Sequence, residues 1–146
     1  MLFRSGASWQ PAAHAILALA RVAPADARGD LFRFARNPIP EVRTYTARAA
    51  ALLGDTATLR MLASDKDDNV AEAAIAGLVR ASAHGDDDTY VTALTSGRKP
   101  VVRAAAVALK GSSRGPAVVT AAIAAERKST RLNSSHIPLS RMPASA

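Results

Sequence analysis

Three stretches of the chain repeat one pattern of apolar and polar positions. VRTYTARAAALLG (42–54), VAEAAIAGLVRAS (70–82) and VVRAAAVALKGS (101–112) each open on Val. Four positions on come Thr46, Ala74 and Ala105, and eight positions on come Ala50, Leu78 and Leu109. The first two stretches add Leu53 and Ala81 at the eleventh position. Offsets of 0, 4, 8 and 11 lie along one side of a helix, and none of the stretches alternates with the period of two that a half-buried strand requires. A looser version runs through Ala12, Ile16, Ala20 and Ala23. The four starting points, 12, 42, 70 and 101, are 30, 28 and 31 residues apart, a period typical of stacked helical repeats.

Shorter helical patterns fall between the long ones: Leu31, Phe34 and Ala35; Leu59, Leu62 and Ala63; Val91, Leu94 and Thr95; and Val118, Val119, Ala122 and Ile123. The punctuation agrees with this division. Pro11, Pro40, Pro100 and Pro116 stand where a first helical turn would begin, where a missing N–H costs nothing. Asp55 and Asp88 precede short helices as expected N-caps, and Gly54, Gly97 and Gly111 stand where helices should end. The predicted unit is a short helix, a turn, a longer helix and a loop. Units fall near 8–24, 30–54, 56–82 and 88–112, with a partial helix over 116–126. A lone helix pair with Ala at its contacts buries little area, so stacking must supply the core.

These segments resemble HEAT-like repeats of the short bacterial kind, whose signature is an acidic or Pro-containing loop, then Val-Arg, small residues and Leu-Gly. The residues that carry the resemblance are NPIPEVRTYTARAAALLGD (37–55), DKDDNVAEAAIAGLVR (65–80) and RKPVVRAAAVALKG (98–111). The middle unit departs from the pattern, with Ala71 and Glu72 where Arg is usual, and the first unit lacks Val-Arg. The resemblance implies an all-α, right-handed α-solenoid of about four helix pairs over residues 1–126. It also implies that Arg43 and Arg103 bridge to acidic loop residues of a neighbouring unit, with Asp65 and Asp68 as candidate partners. Long helices in such arrays line the concave face, which makes Arg43, Arg48, Glu72, Arg103 and Lys110 the candidate binding residues.

Composition narrows the function. The 146 residues include 34 Ala and no Cys, so neither a disulfide framework nor a thiolate nucleophile is available. No apolar run reaches the roughly 18–20 residues of a membrane span. The net charge of +7 invites a nucleic-acid reading, but residues 1–126 hold 15 bases against all 12 acids, a net of only +3. The remaining bases, Arg127, Lys128, Arg131 and Arg141, stand in a segment of different composition. There, RKSTRLNSSH (127–136) and SRMPASA (140–146) resemble a translated sequencing-library adapter, with Ile137, Pro138 and Leu139 as the variable index and Ala144 where Ser would be usual. Residues 127–146 are therefore expected to form a disordered, non-native tail, and the natural chain is expected to continue past this point.

Chemistry-bearing patterns are sparse. His14 and His84 are far apart in sequence and His136 is in the tail, so no metal-ligand spacing is present. The run Asp86-Asp87-Asp88 lacks the turn Gly of a calcium loop and reads as a solvated, capping loop, as do Asp65, Asp67 and Asp68. No nucleophile elbow, phosphate loop or dinucleotide fingerprint occurs. Arg4 followed by AAHAILALA (12–20) is a weak signal-peptide pattern, but its helix-face spacing favours a first repeat. The expectation is a monomeric, non-enzymatic protein-interaction or scaffolding module, with no cofactor, an unknown protein partner and a cytoplasmic location favoured. Nucleic-acid binding is the first alternative, since some arrays of this kind bind DNA. A regulatory array serving a catalytic domain is the second, such as a prolyl isomerase relative. A bilin lyase relative is the third.

Overall fold

The structure is a computed structural model that describes residues 8–134. Among these, eight α-helices follow one another: α1 (Trp9–Val22), α2 (Pro24–Ala35), α3 (Pro40–Leu53), α4 (Thr56–Ala63), α5 (Asp68–Ser82), α6 (Asp87–Leu94), α7 (Lys99–Ala108) and α8 (Gly115–Ser134). A 3-10 turn, Ala83–Asp86, joins α5 to α6, and no strand occurs among the described residues. Each long helix of the series α1, α3, α5, α7 packs on the next, forming one layer. Helices α2, α4, α6 and α8 form the second layer. The chain is thus an all-α solenoid of stacked helix pairs with one continuous core, reaching from Ile16 to Ala121.

The predicted stripe is the buried stripe. Val42, Thr46 and Ala50 are buried on α3, and Val70, Ala74 and Leu78 on α5; Val101, Ala105 and Leu109 continue the row. The eleventh position does not belong to it: Leu53 is half-buried and Ala81 exposed, because each helix has passed its neighbours by then. A second buried row, absent from the sequence reading, is formed by Ala47 on α3 and by Ala71 and Ile75 on α5. An interior long helix touches a long neighbour on each side and the short layer beneath, so one stripe cannot describe it. Of the 26 buried hydrophobic residues among those described, 14 are Ala, so backbones approach closely. Gly77 shows the limit of that approach: a Cβ there would stand 2.7 Å from Leu59 Cδ2 and 3.1 Å from the Ala51 Cβ.

Several boundaries differ from the sequence reading. Helix α2 begins at Pro24, six residues before the expected start, since Pro24 supplies N1 and α1 ends at Val22. On α1 the buried residues are Ala13, Ile16 and Ala20, with Ala12 and Ala23 only half-buried. Asp88 does not cap α6; it lies inside the helix, because the 3-10 turn runs directly into it. The expected face of α8 is also rotated: Ala121 is buried while Val119 and Ile123 are exposed. Helix α8 runs to Ser134, eight residues past the boundary expected at 126. The remainder of the expected tail, 135–146, lies outside the described residues.

The caps explain where the other helices stop and start. Asp55 accepts a hydrogen bond from the Thr58 N–H at 3.0 Å and opens α4, as expected. Gly54 ends α3 with φ of 67° in the left-handed region, where a Cβ is penalised. Ala83 ends α5 with φ of 48° and ψ of −112°, a conformation that glycine adopts far more readily. Such strain costs on the order of 1–3 kcal/mol, against about 0.4–1 kcal/mol of unfolded-state entropy that alanine contributes. Ala83→Gly should therefore raise the unfolding free energy by about 1 kcal/mol, read from urea titration. A lower midpoint in the variant would show that Ala83 is unstrained.

Candidate functional site

The polar residues of the array divide into those that join repeats and those that face outward. The joining set centres on the loop 64–67 between α4 and α5. Arg43, near the start of α3, donates from Nε and NH2 to the two carboxylate oxygens of Asp65 at 2.7 and 2.8 Å. Its NH1 donates to the Asn37 and Pro38 carbonyls at 2.8 and 3.1 Å. Asp65 Oδ1 also accepts from the Asp67 N–H, and Asp67 caps α5 by accepting from the Asn69 and Val70 N–H groups. From the following unit, Arg98 donates to the Asp65 carbonyl at 2.8 Å and to Asp68 Oδ1 at 3.0 Å. Arg43 is only 6% exposed, and the Asp65 hydrogen bonds raise its pKa further. Burial alone would raise the Asp65 pKa, but the Arg43 and Asp67 hydrogen bonds outweigh it, and the net effect is a lowered value.

The next junction uses acids that the sequence reading assigned to solvent. Asp86 and Asp87 are 4% and 5% exposed. Asp86 accepts from Arg60 and Ser82, and Asp87 accepts from Ser112 and meets His84 Nδ1 at 3.0 Å. Asp88 pairs with Arg114. These contacts tie α4, the 3-10 turn and the segment after α7 to one another and bury Asp86 and Asp87, while Asp88 stays exposed. Burial would raise the Asp87 pKa, yet the Ser112 and His84 contacts bring it below the ordinary 3.8. Burial, with Asp86 nearby, pushes the Tyr90 hydroxyl up to about 12, and it donates to the Ala83 carbonyl at 3.3 Å. The Ser, His and Asp side chains here are not arranged as a hydroxyl–imidazole–carboxylate triad: Ser112 donates to the Asp87 carboxylate and not to the His84 imidazole. Among the described residues no group of acids and histidines could hold a metal ion, and no helix is long and apolar enough to cross a membrane.

The outward set lies on the long-helix layer. Of the sequence-predicted candidates, Arg43 is withdrawn into the junction, and Arg48, Arg103 and Lys110 are exposed. Glu72 is half-buried and accepts from Arg103 at 3.4 Å across α5 and α7. Arg103 therefore does not bridge to a loop acid; Arg98, five residues earlier at the N-cap of α7 and not singled out by its sequence, does so. Arg98 stands just before Lys99-Pro100, and the Pro-opened helix is the signal that could have located it. Lys110 lies beyond the end of α7.

Three depressions mark this layer, one of them a hollow of about 270 Å³ in which Arg48 shares the lining with Trp9, Tyr45, Glu41 and Asp67. A cleft of about 360 Å³ is lined by Arg21 of α1, Arg48 of α3 and Arg80 of α5, with Leu17, Ala51 and Leu52. No carboxylate pairs with these three arginines among the described residues; Arg48 instead lies 4.9 Å from the Tyr45 ring centre. An apolar groove of about 350 Å³ lies between α5 and α7, lined by Ile75, Ala76, Val79, Ala104, Val107 and Ala108, with the Glu72–Arg103 pair at its edge. Val79 and Arg80 are consecutive on α5, so the groove and the cleft flank the same helix.

Helix pairs stacked in two layers, with one buried arginine at a repeat junction, define an α-solenoid built from short repeats. A family model described as HEAT repeats matches residues 2–79. The chain belongs to the HEAT-repeat family, whose repeats are commonly protein-interaction scaffolds. No curated protein and no solved structure matches the chain.

The junction generates two expectations. Arg43→Lys keeps the charge but loses the forked contact with Asp65, and should lower the unfolding free energy by about 2 kcal/mol in urea titration. An unchanged midpoint would remove the junction from its structural role. Asp65 and Asp87 have folded pKa values below the ordinary 3.8, so the folded state binds fewer protons than the unfolded state around that pH. Their contribution is present above 3.8 and is lost as pH falls through the lower folded values. Thermal melts between pH 7 and pH 2.5 should show this acid-side loss, and Asp65→Asn should make it shallower.

Proposed function

We propose that this chain is a protein-interaction scaffold whose docking surface is the exposed face of the long-helix layer, acting through shape and not through catalysis. One observation carries the reading. The charged residues at the repeat junctions are committed to one another, whereas the long-helix face combines uncommitted arginines with an open apolar groove. A stack of repeats holds such a face as a rigid, extended surface, and the residues on it choose the partner. Arg48, Glu72 and Arg103 are the members of the original candidate set that take part, joined by Arg21, Val79, Arg80 and Val107.

Val107 is 71% exposed, so Val107→Asp should leave the fold intact while placing a charge in the groove. A two-hybrid screen against a genomic library from the DNA that carries this gene should return partners whose signal Val107→Asp abolishes. Phe32→Ser, on exposed Phe32 of the opposite layer, should leave that signal intact. Partners sensitive to Phe32→Ser and indifferent to Val107→Asp would place docking on the short-helix layer and overturn the reading.

A further inference from the structure

The arginine cleft says more about the partner than the apolar groove alone. Three consecutive long helices each contribute one exposed arginine to one depression: Arg21, Arg48 and Arg80. Elsewhere among the described residues six arginines pair with carboxylates, Arg33 with Asp30, Arg43 with Asp65, Arg60 with Asp86, Arg98 with Asp68, Arg103 with Glu72 and Arg114 with Asp88, while Arg28 donates to the Leu53 carbonyl and Arg36 stacks on Phe32. The cleft thus gathers three arginines, none within ion-pair distance of a carboxylate, beside the apolar surface of Leu17, Ala51 and Leu52. We infer that Arg21, Arg48 and Arg80 form a recognition site for an acidic peptide segment of a partner protein, with its flanking apolar side chains seated in the groove between α5 and α7.

This inference rests on the long-helix face being the docking surface and adds the chemistry of what docks. Packed helices stand roughly 8–10 Å apart, and an extended peptide advances about 3.3 Å per residue. One carboxylate every third residue of the ligand therefore meets one arginine per repeat. Arginine suits that task, because its planar fork binds a carboxylate through two parallel hydrogen bonds. A nucleic-acid ligand fits less well. Its continuous phosphate charge would meet Glu72 at the edge of the groove, and Val79, Val107 and Ala104 offer no partner to phosphate.

The test is panning of the full chain against a displayed library of random twelve-residue peptides, followed by fluorescence anisotropy on the recovered sequences. Recovered peptides should be enriched in Asp and Glu spaced about three apart and flanked by Leu, Ile, Val or Phe. Replacing all three arginines (Arg21→Gln, Arg48→Gln and Arg80→Gln) should weaken their binding at least tenfold. Arg33→Gln, in α2 of the other layer, should change it less than twofold. Binding should also weaken with added salt. Recovered peptides without acidic enrichment that still respond to Val107→Asp would overturn this inference and leave the docking face standing. Peptides indifferent to both the triple replacement and Val107→Asp would overturn both readings. A twenty-base-pair DNA duplex that binds more tightly than the peptides, and is lost in the triple variant, would reassign the cleft to nucleic acid.

Discussion

The fold depends on how one short loop is held. Residues 64–67 leave α4 and turn the chain into α5, and they are gripped from both directions along the array. Arg43 of the preceding unit takes both oxygens of Asp65, and Arg98 of the following unit takes the Asp65 carbonyl and Asp68. Three repeats are thereby coupled through four loop-side groups. The hydrophobic contribution of each interface is modest because its contacts are so often alanine, at about 25 cal/mol per Å² buried. Directional, charge-assisted bonds do what bulky side chains do elsewhere: they fix how far each helix pair is rotated on the next. Leaving Arg43 buried without Asp65 would cost more than the pair contributes, which makes the junction a specifier of register as well as a contact.

The same economy explains the separation of charges. A buried ion needs a partner, so Asp65, Asp86 and Asp87 each have one, and no buried polar side-chain atom among the described residues lacks a hydrogen bond. Arginines on the long-helix face are under no such constraint, because water solvates them. The absence of an ion pair at Arg21, Arg48 and Arg80 is therefore a property of the surface chemistry and not a demand of the fold. A scaffold can vary such residues without disturbing the stack.

Periodic features were the legible ones. Val42, Val70 and Val101, with the small residues four and eight positions on, mark the buried row because helix geometry fixes which positions share a side. Proline at helix starts and glycine at helix ends carry their own backbone requirements and were equally readable. The Arg43–Asp65 pair was foreseeable from the family resemblance. What the sequence hid depends on the third dimension. Ala47, Ala71 and Ile75 look like surface positions until a third helix covers them, and Asp86-Asp87-Asp88 looks like a solvated loop until Arg60, Ser112 and Arg114 converge on it. The Arg21, Arg48 and Arg80 cluster was invisible for the same reason: 27 and 32 residues separate its members, and only the stacking of α1, α3 and α5 gathers them.

Within that cluster Arg48 is held differently from its neighbours. Its guanidinium lies 4.9 Å from the Tyr45 ring centre, and that ring is braced by Trp9 at 6.1 Å and by the edge of His14 at 4.9 Å. An aromatic face orients a guanidinium without neutralising it, and leaves the edge donors free for a planar acceptor. A carboxylate partner would orient the side chain equally well but would have to be displaced by any anionic ligand. The aromatic arrangement thus lowers the rotamer entropy that binding would otherwise cost, roughly 0.5–1.5 kcal/mol for such a side chain, while keeping the charge available. The N-terminal repeat, which lacks the Val-Arg of the later units, thus contributes to this face through the two rings, Trp9 and His14, that brace Tyr45.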